Sequence, residues 1–556
     1  MTLDKYALER RLGIRRAIAQ GQDHMDSVGK QQSTGLFGWI ERTGNKLPDP
    51  VFLFFFLILF LIALSVVADL SGWSAVHPID VDPDTGTNAV IAAVSLLGAD
   101  NIQRFWVEMP KTFTHFHPLG YVLVVMLGAG VAERSGLFAT AMRAGVRGAP
   151  TTLLTPIVAL VGIIGNLASD AAHVVLIPLA GVIFAAAGRH PIAGIAVAFA
   201  GVSGGFSANL FPAQLDASLF GITQAAAETV FVGWEANMAG NWYFMCAMTF
   251  VFLPVIWFVT DRIVEPRLGD YSGALNPGDK EGENAISVDD AQNRLLDENE
   301  KRGLRYAGLA ASGVIALWLF MLFGPGTPLV NESAVAEAQF TPFYRSLVGG
   351  FFIFFLLAGW AYGLGFGSIK SHRDVVKMMS DSMTNMAYFL VLVFMVAHFV
   401  AMFSWSNLGL ISAVHGAESL QSLDMPAPIL LALVVIFVGI MNLFVGSASA
   451  KWALLAPILV PMLMLIGVSA EATTAAYRVG DSATNIITPL MVYFPLILIF
   501  CQRWNKGFGI GNLTALMLPY AMGLMGAGLV MIMIWVGLEI PLGPNAPVFI
   551  QPPTGT

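Results

Sequence analysis

Long apolar runs broken by short polar interruptions set the pattern of this chain. The clearest is VFLFFFLILFLIALSVVAD at residues 51–69, about 18 apolar residues in succession, near the minimum that crosses a bilayer as a helix. Comparable runs near 116–135, 241–260, 306–324, 346–366, 384–403 and 511–537 predict further spans. Two more predicted helices carry internal breaks, one at about 191–216 interrupted by GGFSANLFP and one at about 471–500 interrupted by GDSATNIITP. Together these make an all-α polytopic protein of about nine transmembrane helices.

Two polar patches disturb the pattern differently. GNLASDAAHVVLIPLAG begins at Gly165 and GSASAKWALLAPILVP at Gly446, and each has a glycine, small polar residues, a charged residue and then an apolar arm. Asp170 precedes Pro178 by eight residues, and Ser449 precedes Pro457 by eight. Each patch is followed by one of the two broken helices. The first is entered from the inside and the second from the outside, so the repeat is inverted. The arm from Thr155 to Ile164 covers roughly 15 Å, half of the hydrocarbon thickness. It predicts a re-entrant hairpin at about 151–186. A second hairpin is expected at about 428–467, although its incoming arm, Pro428 to Val445, is almost long enough to span.

Composition agrees with this class. The 556 residues are 56% hydrophobic and 12% charged, with a mean hydropathy of +0.70, far from a water-soluble domain. The formal charge of -8 gives no reason to expect nucleic acid, and Cys246 and Cys501 lie in apolar surroundings that make a disulfide framework unexpected. The distribution of charge sets orientation. Residues 1–50 carry Lys5, Arg10, Arg11, Arg15, Arg16, Lys30, Arg42 and Lys46, so the N-terminal segment is expected in the cytoplasm. The polar stretch 262–305, with Arg262, Arg267, Lys280, Arg294, Lys301, Arg302 and Arg305, reads as a cytoplasmic linker. It separates a first membrane half at 51–261 from a second at 306–540, and the Lys- and Arg-free tail at 541–556 is expected outside.

Paired, interrupted helices near the midplane of an inverted repeat point to a secondary transporter, in which freed backbone groups bind substrate and coupling ion. No HExxH signature or P-loop is present and no GxSxG nucleophile elbow is assigned, so an enzyme is not expected. A passive channel is the other alternative, but it has little use for two tipped hairpins.

TDRIVEPRLG, AYRVGDSATNIITPL and GSASAKWALLAP resemble the AbgT family of p-aminobenzoyl-glutamate transporters, over about residues 35–540. The resemblance implies a homodimer of nine-span protomers with two hairpins, in the bacterial inner membrane. It implies ion-coupled transport of p-aminobenzoyl-glutamate or related anionic aromatic conjugates, or else proton-driven efflux of sulfonamide-type antimetabolites. Import and efflux use one site in opposite directions, so motifs leave the sign open. The family's functional residues fall on Asp170, Ser449, Trp452, Arg478, Asp481 and Pro489. Where many relatives have a proline at the entrance to the last broken helix, this chain has Ala470.

The chemistry of these positions suits that expectation. Arg478 offers a planar fork for a carboxylate, and it shares a helix face with Asp481 three residues on, which permits a self-neutralising pair. Trp452 beside Lys451 offers an aromatic face with a cation nearby. Ser447, Asp481, Ser482, Thr484 and Asn485 carry the oxygens that a sodium ion prefers, and Asn166, Ser169, Asp170, Ser207 and Asn209 form the symmetry-related set. Alternatively, Asp170 or Asp481 carries a proton. His173 reads as a packing residue or a proton relay.

Overall fold

The computed structural model describes residues 48–81, 88–147, 149–168, 171–231, 234–235, 237–269, 296–334, 339–488 and 490–551. Most of the N-terminal segment, the middle of the linker, Ser169, Asp170 and Pro489 lie outside the described residues. Helix α1, Pro50–Leu70, starts where the Asp49 carboxylate accepts from Val51 N at 2.9 Å and Pro50 supplies the first helical position. A short antiparallel ribbon, Ser74–Val81 with Asn88–Ala92, follows and rests against the far end of the second half through Trp73 stacked on His415. The first half continues with α2 Ala99–Thr114, α3 His117–Ser135, α4 Leu137–Arg147, α5 Leu154–Gly165, α6 Ala171–Ala186, α7 Pro191–Phe199, α8 Gln214–Ala227 and α9 Trp242–Val259. The second half holds α10 Glu298–Phe323, α11 Thr341–Phe366, α12 His372–Asn385, α13 Ala387–Trp405, α14 Leu408–Ser422, α15 Ala427–Asn442, α16 Ala448–Leu465, α17 Ala470–Asn485, α18 Phe494–Gln502 and α19 Ile510–Gly537.

Seven of the expected spans appear as helices long and apolar enough to cross a membrane, in α1, α3, α9, α10, α11, α13 and α19. The two broken ones appear as α7/α8 and α17/α18. The first break is wider than its sequence suggests: a π-type turn at Ala200–Gly204 leads into non-helical chain up to Ala213, and α8 then runs on to Ala227. The linker is shorter than expected, because α10 already begins at Glu298.

The hairpins differ in build. In the first, α5 has 12 residues, about 18 Å, and continues into a short helical turn at Asn166–Ala168, with α6 starting at Ala171. In the second, α15 has 16 residues and α16 has 18, so the outgoing arm and not the incoming one is the longer. Both pack in the same way: α4 against α6 and α14 against α16, α5 against α9 and α15 against α19.

Helices in lipid gain little from hydrophobic exclusion and associate by close packing of small residues. Matched glycines make this possible in both halves. A Cβ at Gly201 would lie 2.7 Å from Ala159 O and 3.3 Å from Gly162 Cα, and one at Gly480 would run into Val435 O and lie 3.0 Å from Gly439 N. The hairpin arm and the broken helix therefore touch backbone to backbone. The foot of the first hairpin is clamped by TDRIVEPRLG: Arg189 donates to Asp261 Oδ1 at 2.6 Å, to Glu265 Oε1 at 3.0 Å and to Thr155 Oγ1 at 2.7 Å. This ties both ends of the hairpin to the end of α9.

Gly480→Ala is expected to destabilise the protein by about 1–3 kcal/mol, because the obstructing atoms are backbone and cannot swing away. Gly308→Ala, on the open face of α10, is the control and should be neutral or stabilising by up to about 1 kcal/mol. Thermal unfolding in detergent checks both, and equal melting temperatures would contradict the crossing.

Candidate functional site

The site grows out of helix ends that lipid could not tolerate alone. Helix α17 is buried on every side from Ala472 to Asn485, although it carries Arg478, Asp481, Ser482, Thr484 and Asn485. Such side chains persist at this depth only if other elements supply their partners. The α15–α16 tip supplies one. Ser447 caps α16 by accepting from Ala450 N, which brings Lys451 one turn in, and Lys451 Nζ lies 2.5 Å from Asp481 Oδ1. Lys451 also donates to Asn442 Oδ1. The Asn442 amide nitrogen lies 2.9 Å from Asp481 O, 2.9 Å from Thr484 Oγ1 and 2.8 Å from Asn485 Oδ1. Lys451 and Asp481 are 0% and 1% exposed, so water contributes nothing to their neutralisation.

The second pair joins the two halves. Arg478 Nη2 donates to Asp216 Oδ1 on α8, and its Nε donates to Asn241 Oδ1 at 3.1 Å. Arg478 and Asp481 thus share a helix but do not neutralise each other, contrary to the pairing that their spacing allows. Each turns to a different element because a nearer opposite charge is held in place there. Trp452 is fully buried between the pairs, with its ring 4.5 Å from Tyr477 and its Nε1 donating to Thr223 Oγ1 at 2.9 Å. It is no interfacial anchor. Ser449 Oγ meets Ser218 Oγ at 3.0 Å, again between hairpin and broken helix.

Among the described residues, the first half repeats the frame without the charges, Asp170 lying outside them. The Asn166 amide nitrogen lies 3.1 Å from Ile163 O and 3.2 Å from Gly205 O. Asn209 Oδ1 accepts from Leu210 N at 2.8 Å, and Ser207 N donates to Ser482 Oγ at 2.8 Å, joining the two breaks. Ser207 Oγ is buried with no hydrogen-bond partner among the described residues. His173 Nε2 lies 2.9 Å from Ser203 Oγ, and its ring stacks on Tyr493 at 4.2 Å. Gly201–Gly205 does have the GxSxG spacing, which the sequence reading did not assign. Here Ser203 occupies a π-type turn between helices, not a strand-to-helix elbow, and His173 Nδ1 has no partner among the described residues to orient it.

Asp216, Asn442 and Asn241 are the site residues that sequence reasoning missed. A signal for Asn442 existed, since VGI followed shortly by Asn-Leu occurs at Val161–Leu167 and again at Val438–Leu443. Asp216 stands four residues after Pro212 at the start of α8, where it reads as an ordinary first-turn carboxylate. Among the described residues no three His, Cys, Asp or Glu gather as a metal cluster.

A recess of about 30 Å³ is lined by residues that include Asp216, Thr223, Asn241, Thr474 and Arg478. It shares Phe220, Asn237, Met238 and Glu471 with a cavity of about 400 Å³ whose walls include Tyr121, Tyr344 and Arg345. That volume is within the range for a small-molecule site. Residues 542–548 pack beside the cavity, which Asn545 helps to line: Ser469 N donates to Val548 O and Phe244 N to Leu542 O.

Two helical hairpins against two broken helices, with one ion pair between a hairpin and a broken helix and another between the halves beside a recess, define a membrane transporter of the inverted-repeat kind. The chain belongs to the AbgT putative transporter family, whose sequence profile matches residues 35–550. It is 34% identical over 525 residues to the p-aminobenzoyl-glutamate transport protein of Escherichia coli K12, covering 94% of this chain and 98% of that one. Two solved structures are similar. The Alcanivorax borkumensis YdaH transporter, described as having an unusual topology, superposes with a TM-score of 0.80 at 40% identity over 89% of this chain and 100% of that one. Neisseria gonorrhoeae MtrF, described as illuminating a class of antimetabolite efflux pumps, gives 0.84 at 40% identity over 92% and 100%.

Removing one member of a buried pair costs about 3–5 kcal/mol because the other charge is left uncompensated. Asp216→Ala is therefore expected to lower detergent thermal stability by that order, and Asp216→Ala with Arg478→Met to recover most of it. Equal losses in the single and double variants would show that an unpaired charge is not the cause.

Proposed function

We propose that this protein is an ion-coupled secondary transporter of p-aminobenzoyl-glutamate or related anionic aromatic conjugates, and not an enzyme. The observation that carries the reading is Arg478: a buried guanidinium lining a small recess beside the cavity of about 400 Å³, held by Asp216 across the two halves. A substrate carboxylate entering the recess would take the fork from Asp216 in two places, which trades one buried ion pair for another. Because Arg478 and Asp216 stand on different broken helices, that exchange alters the tie between the halves. Trp452, Tyr477 and Thr223 stiffen the wall behind it, so Trp452 acts on the substrate through Thr223 and not by open stacking. Likeness to the Escherichia coli p-aminobenzoyl-glutamate transport protein supports the substrate class.

The proposal extends to a homodimer in the bacterial inner membrane, with the N-terminus cytoplasmic and the C-terminus external. The basic residues before α1 and in the linker support this orientation. Sodium would be held in the first half by the oxygens of Asn166, Ser207 and Asn209, with Ser169 and Asp170 nearby in sequence. The unpartnered Ser207 Oγ supports that fit. The second-half set is already engaged, since Ser447 caps α16, Ser482 accepts from Ser207 N and Asp481 holds Lys451. Efflux of antimetabolites is the second reading, favoured by likeness to MtrF.

Uptake of p-aminobenzoyl-glutamate into proteoliposomes under imposed sodium or proton gradients tests the proposal. Arg478→Ala should lose about 10- to 100-fold in uptake, the equivalent of roughly 1.5–3 kcal/mol of charge-assisted hydrogen bonding. Full gradient-driven uptake by the variant would remove Arg478 from the site, and indifference of the wild type to both gradients would remove the coupling.

A further inference from the structure

We propose that Lys451 is a tethered cation: its ammonium occupies the second-half seat that a dissolved sodium ion would otherwise take, so sodium does not bind there. The proposal rests on the ion-coupled reading only for its meaning, not for its test.

The seat has the ligands a hard cation selects, the Asp481 carboxylate and the Asn442 amide carbonyl. Lys451 Nζ reaches both, and it stands 5.7 Å from the Tyr477 ring, a further source of cation attraction. The orientation of Asn442 is settled by its other side. Its NH2 group faces Asp481 O, Thr484 Oγ1 and Asn485 Oδ1, which are all acceptors, so its oxygen is turned to the cation.

The repeat supplies the comparison within one molecule. Asn166 and Asn442 occupy the same place, each at the end of an incoming arm with its amide nitrogen on a backbone carbonyl of the broken helix, Gly205 O at 3.2 Å and Asp481 O at 2.9 Å. That match sets Gly205 against Asp481. Counting from the paired Pro178 and Pro457 sets Ala172 against Lys451. The second half therefore carries an ammonium and a carboxylate together at positions where the first has a methyl and a hydrogen, while the same count sets Asp170, outside the described residues, against Ser449. A lysine on a fixed helix meets its carboxylate at an effective concentration that a dissolved ion does not match. Without the ammonium, Asp481 would be a buried, uncompensated charge and would require a cation from solution.

The full-length protein in detergent is tested by thermal unfolding with increasing sodium chloride, choline chloride serving as the salt control. Lys451→Met is expected to show a sodium-specific rise in melting temperature larger than that of the wild type. Lys451→Met with Asp481→Asn should return to the wild-type response, because the carboxylate that recruits the ion is gone. A Lys451→Met response no larger than wild type would overturn the proposal. If Lys451→Met can be purified only in sodium, the seat is supported. If it fails in both salts while the double variant folds, Asp481 cannot take sodium in place of the ammonium and the proposal falls. None of these readouts measures transport, so failure here leaves the carrier reading standing, and an inactive carrier leaves the seat testable.

Discussion

Four charges are buried with little or no exposure to solvent, and the rest of the architecture follows from pairing them. Lys451 with Asp481 joins the consecutive helices α16 and α17, hairpin to broken helix, and Arg478 with Asp216 joins one half to the other across 262 residues. A charge in hydrocarbon is costly and a single unpaired member costs more than the absence of both. The helices carrying these residues can therefore fold only as a set. The same constraint explains why α17 tolerates polar residues all the way around: every face meets protein.

Close approach makes the pairing feasible. Gly162 and Gly201 in the first half, and Gly439 and Gly480 in the second, bring a hairpin arm into backbone contact with a broken helix. At that separation the short side chains of Asn166 and Asn442 reach the carbonyls that the breaks leave free. Breaks in membrane helices persist only where such groups are satisfied by protein or line a wet cavity, and both conditions occur here.

The repeat is symmetric in frame and asymmetric in chemistry. Among the described residues, one half holds its broken helix with the neutral Asn166 and His173, and the other uses an asparagine with an ammonium and a carboxylate. Arg478 and Asp216, where the halves meet, line the small recess beside the cavity, whereas Lys451 is fully buried. A charge pair that lines a recess can exchange partners with an incoming anion. A sealed pair cannot, and it acts instead as a permanent part of the moving unit.

The sequence alone determined the class, the spans and the two tips, because apolar run length and charge placement are local properties that lipid reads directly. It also singled out Trp452, Arg478, Asp481 and Lys451, since an ionisable or amphipathic residue in an apolar run is conspicuous wherever it points. Partnership was not legible. Arg478 and Asp481 are three residues apart on one helix, yet the ion pairs run to Asp216 and Lys451, 262 and 30 residues away. The deciding quantity is distance across packed helices in a medium of low dielectric, where the best-placed opposite charge outweighs the nearest in sequence. That distance exists only once glycine crossings, hairpin lengths and the docked C-terminal segment have set the helices in place, and so it belonged to the tertiary structure.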